Sequence, residues 1–404
     1  MSGSSLLTRQ ISEVFASEDD EFGIVVFMGY LMVLLEETFL QSPCRRQCRQ
    51  FICISSMLNE EDFTRTYRLS RNSFYRLLSL LLGGIVFESV SCVHNTGTKV
   101  AADSRLAITL RMLAGASYLD LRLCFNVSVS SIYRIFHDTC QAIMEALRLP
   151  GISRSWEDLH RASIEFKLSR RFKNPLSGCV GALDGIAIKI AKPRCNERPA
   201  AYFCRKGYYA IPVQALVDAN YRFLCYSARC VGATHDALAH SVSELGAYLS
   251  QGGLQEEFWI CGDEAYECRN WLITPYARSQ CNDKEKYFNF FLSSHRVHIE
   301  QAFGHLVARW RVLNGGLEFS LSRNIRVVCA CMKLHNLCIE QGESFDSVRN
   351  ELNSHGGTVE EVQAWYEEAK EHRQSSQSFS RTRSPARSIK RDKLRDLVWD
   401  LRKV

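Results

Sequence analysis

Three acidic residues stand where a carboxylate can be aimed at a metal: Asp184 in GALDGIAIKI, Asp263 in FWICGDEAYECRNWLITPY and Glu300 in HRVHIEQAFGHLVARWRVL. Carboxylate oxygens are the hard ligands that hold Mg²⁺ or Mn²⁺. Two such ions about 4 Å apart can activate a water or hydroxyl on one side of a phosphorus and stabilise the leaving oxygen on the other. Two aspartates at strand ends and a glutamate on a following helix can form that cage, with one carboxylate bridging both ions. The chemistry would be phosphodiester cleavage or transfer, and it needs neither histidine nor thiolate. Residues 264 to 299, 36 in all, separate Asp263 from Glu300.

The sequence around each acid predicts the element that positions it. Ser177 to Ile190 is a nearly continuous apolar run with β-branched residues and a single acid, which suits a buried strand carrying Asp184 near its exposed end. Tyr208 to Val217 and Tyr221 to Val231 read as two strands joined at Asp218-Ala219-Asn220, a good hairpin turn. Phe258 to Cys261 is a fourth apolar run that ends in Gly262-Asp263. A helix is expected from about Ser293 to Leu313, with Ile299, Phe303, Leu306 and Trp310 as its core stripe. Glu300 falls at the edge of that stripe, and Gly304 one turn on leaves open space beside it. Arg296, one turn earlier, can pair with Glu300 or with a DNA phosphate, and Arg309 and Arg311 extend the positive face.

The preceding stretch, about 61 to 160, reads as helices with short connections. Asp103 to Leu113 shows a helical apolar pattern after a capping Asp, Tyr118 to Phe125 is a second short helix, and Val129 to Leu147 is a third. Two helices joined by a tight polar turn, the second beginning SVSSIYRIF, resemble a helix-turn-helix. Ser128 or Ser130 would cap the later helix, and Ser131, Tyr133 and Arg134 would reach phosphates or base edges. An ordinary three-helix packing unit is the alternative.

Composition limits what these residues can serve. The chain has 404 residues, room for two or three domains, with 46% hydrophobic and 23% charged residues, as in a globular protein. A net charge of +6 favours a polyanionic partner only weakly. Seventeen cysteines are an odd count in a long chain with no basic, apolar, small-residue signal at its start, and they read as reduced thiols in a nuclear or cytosolic protein. Phe22 to Leu35 is apolar throughout but shorter than the ~20 residues a membrane span needs, so it is expected to pack in a core or against a second subunit.

Other clusters have quieter readings. Asp218 suits a turn, and Glu264 would face away from the site. Cys329, Cys331, His335 and Cys338 lie on an apolar helix rather than on zinc knuckles, so His335 is expected to be a hydrogen-bonded core residue. After about 345, Thr358 and Glu361 form a capping box for an acidic helix. A Ser/Arg-rich stretch and a short amphipathic helix with Leu394, Leu397, Val398 and Leu401 follow. They read as a solvated tail, a nuclear import signal or a DNA arm.

Taken in order, these motifs resemble the Harbinger-type transposases of the DDE superfamily endonucleases. The resemblance covers roughly residues 60 to 345: the DG and apolar strand at Asp184, RKGYYAIPVQALVD at 205 to 218, VGATHDALA at 231 to 239, GDEAY with WLITPY, RVHIEQAFGHL with RW, and CMKLHNLCIE at 331 to 340. It implies an α/β ribonuclease H-like catalytic domain, a mixed sheet flanked by helices, after an all-helical region with a helix-turn-helix. The expected division is 1–60, 61–160, 161–345 and 346–404, the third being the endonuclease domain. It implies Asp184, Asp263 and Glu300 as catalytic ligands of two Mg²⁺ or Mn²⁺ ions, and Arg205 and Lys206 as DNA contacts. Asp236 and His235 in GATHD fit a helix cap better than a site role. Val307 stands where relatives often have lysine. The implied activity is DNA cleavage and joining of 3′ ends to target DNA, in the nucleus and possibly also the cytoplasm. The implied partners are element ends, target DNA, a Myb-like DNA-binding protein and further copies of the chain, with no membrane. The competing expectation is a domesticated DNA-, chromatin- or protein-binding module that no longer cleaves. A nuclease acting on RNA or structured DNA is a weaker third.

Overall fold

The computed structural model describes residues 51–84, 87, 99–169, 174–194, 198–204, 206–228, 244–277, 281–343 and 388–402, all within the unit Arg49–Val404. The apolar segment 22–35, Arg205, His235, Asp236 and the helix expected from Thr358 lie outside the described residues. Among the described residues no helix is long and apolar enough to cross a membrane.

Among the described residues, seven helices precede the sheet. They are α1 (Phe51–Ser56), α2 (Glu60–Tyr67), α3 (Arg71–Leu82), α4 (Ala102–Leu113), α5 (Tyr118–Phe125), α6 (Val129–Ala146) and α7 (Trp156–Leu168). Side chains of Asn59, Ser70, Ser117, Ser128 and Ser155 each accept a backbone N–H from the first turn of α2, α3, α5, α6 and α7. The expected cap on α4 is displaced: Ala101 takes the cap position with extended backbone, and Asp103 sits in the first turn, where its charge still complements the helix dipole. Asn126, with φ of 49°, makes the tight turn from α5 to α6.

Five strands follow: β1 (Cys179–Lys189), β2 (Ala210–Val217), β3 (Phe223–Ser227), β4 (Trp259–Cys261) and β5 (Leu272–Ile273). Their order is β3-β2-β1-β4-β5, with β1, β2 and β3 antiparallel and β4 and β5 parallel to β1. Among the described residues, the helices after β3 are α8 (Glu244–Ser250), α9 (Asp283–Arg309), α10 (Leu321–Glu340) and α11 (Ile389–Leu401). This is a mixed α/β fold, a five-stranded mixed sheet flanked by helices.

Strand alternation divides the core in two. Ala182, Ile186, Ile188, Val213, Ala215 and Cys261 face one way, into a core shared with Ile299, Phe303 and Leu306 of α9 and Val327 and Leu334 of α10. Val180, Leu183, Leu216, Ile260 and Leu272 face the other, against Leu159 of α7 and Leu249 of α8. Gly178, with φ of 88°, admits the close approach of β4: a Cβ there would lie 2.5 Å from the Glu257 carbonyl oxygen.

Two boundaries differ from the sequence reading. α9 begins at Asp283, ten residues earlier than expected, because Asn282 and Glu285 form a capping box, and it gives way to a 3₁₀ turn at Arg311–Leu313. The last amphipathic helix docks as α11, with the Arg391 guanidinium 4.0 Å from the Tyr276 ring centroid and the Tyr276 hydroxyl donating to Asp392 at 2.6 Å.

The LHN triplet of α10 has a structural use. Asn336 accepts from the Phe223 N–H and donates to the Phe223 carbonyl, both at 2.8 Å, so its amide pairs with edge strand β3 as a neighbouring strand would. His335, fully buried, bonds the Tyr221 carbonyl through Nε2 at 2.9 Å. Asn336→Ala leaves two buried backbone groups of Phe223 unpaired and should lower stability by about 2–4 kcal/mol, read by thermal or urea denaturation.

Burial, against the pull of the Tyr221 carbonyl, pushes the His335 pKa down to about 3, and burial likewise brings His137 to about 4. The unfolded chain takes up these protons near pH 6.5 and the folded chain does not, so stability present above pH 6.5 is lost as pH falls below it. At pH 5 the loss from His335 is about 2 kcal/mol. Urea titrations of His335→Gln at pH 7 and pH 5 should show a drop smaller than wild type by about that amount.

Candidate active site

The β1–β4 ladder brings the two aspartates together. Ala182 pairs with Cys261 in parallel register, and each aspartate lies two residues further along, Asp184 within β1 on the same face as Ala182 and Asp263 just past the end of β4. That face looks toward α9. β4 stops at Cys261, and Gly262, whose N–H donates to the Ile273 carbonyl at 3.0 Å, turns the chain out with Asp263. β1 does not stop. Asp184 sits in the middle of an eleven-residue strand, 1% exposed, rather than near a strand end. What ends beside it is the ladder with β4, while β2 continues to pair with β1 through Lys189. The strand is longer than a strand-end reading requires because β2 extends as far on its other side.

Helix α9 supplies the third acid. Ile299, Phe303, Leu306 and Trp310 are buried as the stripe requires, and Glu300 lies on its rim, with open space where a Cβ on Gly304 would project. Arg296 ties the set together. Its guanidinium is 3.1 Å from an Asp263 oxygen and 3.6 Å from a Glu300 oxygen, and the three side chains are 12%, 19% and 20% exposed. Burial pulls the Arg296 pKa down, but the carboxylates of Asp263, Asp184 and Glu300 outweigh it and hold the guanidinium above its usual value. All three carboxylates therefore act on one point, and that point favours a cation.

This arrangement fits a divalent ion only after a rearrangement. Among the described residues no three metal-ligating side chains already stand as a cage, and the guanidinium lies where their fields meet. The donors themselves are suitable: three hard carboxylates, two of them open to solvent, on rigid elements. Arg296 was legible as a partner of Glu300 from its i, i+4 spacing. Its second bond, to Asp263, was not, because it depends on how α9 lies across the sheet.

Other sequence candidates fare differently. Arg309 is buried, and its guanidinium donates to the Arg68 and Glu343 carbonyls, so it does not extend a positive surface. It lies on the same side of α9 as Ala302 and Leu306, and that side is packed. Val307 is likewise buried, which suits its apolar side chain. The Ser131 hydroxyl bonds Ser128, the Tyr133 ring packs against Tyr118 and Phe319, and only Arg134 of that trio is exposed. Asp218 is held in the hairpin turn, accepting from the Asn220 and Arg222 N–H groups and from the Arg222 guanidinium. Lys206 is half-buried in the turn before β2, and Arg205 lies outside the described residues.

Residues 183–336 match the model of the DDE superfamily endonucleases, a stretch that runs from the residue before Asp184 to the Asn336 amide. The chain thus carries a DDE superfamily endonuclease domain. It is homologous to "Putative nuclease HARBI1" of Bos taurus and of Homo sapiens, each 23% identical over 293 residues, which cover 70% of this chain and 80% of the relative. It is also homologous to "Protein ALP1-like" of Arabidopsis thaliana, 23% identical over 299 residues, or 69% and 71% of the two chains. No solved structure matches the chain.

Arg296→Gln removes the cation that the three acids share. The metal-free protein should lose about 3–5 kcal/mol, the range for breaking a buried pair. Mn²⁺ should then raise its melting temperature more than it raises that of wild type. Equal shifts in the two proteins would mean that arginine and metal do not compete.

Proposed function

We propose that the protein is a metal-dependent DNA endonuclease of transposase type, with Asp184, Asp263 and Glu300 as metal ligands in a ribonuclease H-like domain. The observation that carries this reading is the convergence of the three acids: the adjacent strands β1 and β4 bring the aspartates together, and one guanidinium links them to Glu300. Two Mg²⁺ or Mn²⁺ ions held by these carboxylates would supply an activated water or 3′-hydroxyl and stabilisation of the leaving oxygen. The chain's residues do the positioning. The β1–β4 ladder fixes the spacing of the aspartates, and the packed stripe of α9 holds the glutamate rim toward them. Arg296, displaced from the acids, would meet a DNA phosphate. Joining of 3′ ends to target DNA, a Myb-like partner, assembly of more than one copy and a nuclear location belong to the same reading, and the homologues named as nucleases agree with it. The α5–α6 pair contributes a DNA contact through Arg134.

A second reading has its own support. The guanidinium among the carboxylates neutralises the site without metal, which suits a module that keeps the fold and binds DNA without cutting it. Plasmid nicking with Mg²⁺ or Mn²⁺ separates the two. Wild type should nick, and Asp184→Ala, Asp263→Asn and Glu300→Gln should each lose about a thousandfold or more, since metal stabilisation contributes several kcal/mol to the barrier. Nicking that survives Asp184→Ala would sink the metal assignment, and DNA binding with no metal-dependent nicking would favour the second reading.

A further inference from the structure

The connection from β1 to β2 leaves the same end of the sheet as Asp263, and its chemistry differs from the rest of the surface. From Lys189 to Tyr209 the sequence holds six cations, Lys189, Lys192, Arg194, Arg198, Arg205 and Lys206, against one acid, Glu197. Lys189, Lys192, Arg194 and Arg198 are exposed. Among them stands Phe203, 48% exposed, on a rigid support. Its backbone bridges to Tyr209, the Cys204 N–H donates to the Tyr208 carbonyl at 2.9 Å, and the Gly207 N–H donates to the Cys204 carbonyl at 3.1 Å. Gly207 takes a φ of 81°, which closes that turn. The Phe203 ring meets Tyr209 edge to face, 5.3 Å between centroids, and Tyr209 in turn packs on the main core. The Ile190 N–H donates to the Tyr209 carbonyl, so the hairpin is a direct extension of the β1–β2 ladder.

A rigidly mounted, exposed aromatic ring in a stretch of sequence rich in exposed cations has the makings of a single-strand nucleic-acid platform: bases stack on the ring and the cations follow the phosphates. Resting on the reading that the chain acts on DNA, we propose that the Phe203–Tyr209 bridge presents a platform for an unpaired DNA strand, with Phe203 stacking on a base and Lys192 and Arg198 meeting its backbone. Six residues of strand separate Asp184 from Ile190, about 20 Å at the rise of a β-strand. At the 3.4 Å rise of DNA that is about six nucleotides. The platform therefore holds flanking DNA that has come unpaired, not the phosphate being cut. A flat apolar ring gains little from a closed duplex, whose bases already stack on each other.

The test uses the full chain carrying Asp184→Asn, without metal, so that binding is read with no cutting. Fluorescence anisotropy would follow a labelled oligothymidine and a labelled duplex. Phe203→Ala should weaken oligothymidine binding by about 5- to 100-fold, the range of one aromatic–base stack, and should change duplex binding far less. Phe203→Trp should keep the affinity. Lys192→Gln and Arg198→Gln should each reduce the salt dependence by about 0.7 in slope. The proposal is overturned if the parent does not bind oligothymidine, if Phe203→Ala binds as the parent does, or if it loses single strand and duplex alike. Failure of the endonuclease reading would appear elsewhere, as absent nicking by the protein with Asp184 intact.

Discussion

The parallel pairing of β1 with β4 is the constraint on which the site depends. Asp263 follows a three-residue strand, and nothing within β4 itself could fix where that strand delivers it. The pairing does so through a longer neighbour that is anchored on its far side by β2. Sheet periodicity decides the direction of Asp184, since a slip of one residue would turn it to the opposite core, and the register of β4 decides where the chain leaves the sheet with Asp263. The glycine before β1 and the glycine after β4 serve this pairing, one by admitting the strand and the other by releasing the chain from it.

Charge balance is the second condition. Three acids converging at the edge of a core would repel one another without a counter-ion, and α9 carries its own in Arg296, one turn from Glu300. The helix therefore brings a ligand and a neutralising group on a single rigid body. Folding in the absence of metal costs less as a result, and the acids stay oriented toward a shared centre. The same arrangement sets a threshold for any incoming cation, which must outcompete a hydrogen-bonded guanidinium.

Much of this was legible in the chain. Apolar runs marked β1, the hairpin and β4, and the stripe Ile299, Phe303, Leu306 and Trp310 marked α9 with Glu300 on its rim, because burial writes periodicity into sequence. His335 could be read as a hydrogen-bonded core residue of an apolar helix, though neither its partner carbonyl nor the use of Asn336 against β3 could. What escaped was whatever depends on an element's neighbour. The position of Asp184 within its strand follows from the length of β2, and the burial of Arg309 follows from carbonyls at Arg68 and Glu343 that are distant in sequence. A basic residue on a helix rim looks the same in sequence whether it faces water or a carbonyl.

Helix α11 carries a consequence for the boundaries of the fold. It is far in sequence from β4 and β5, yet Arg391 donates to the Thr274 and Pro275 carbonyls just past β5, Lys390 donates to the Glu256 and Phe258 carbonyls before β4, and Arg395 reaches Glu285 at the start of α9. Helix α11 thus staples together the segment before β4, the segment after β5 and the root of the helix that presents Glu300. The packed unit that carries the three acids is discontinuous in sequence, and a fragment cut just after α10 would leave its β5 flank bare.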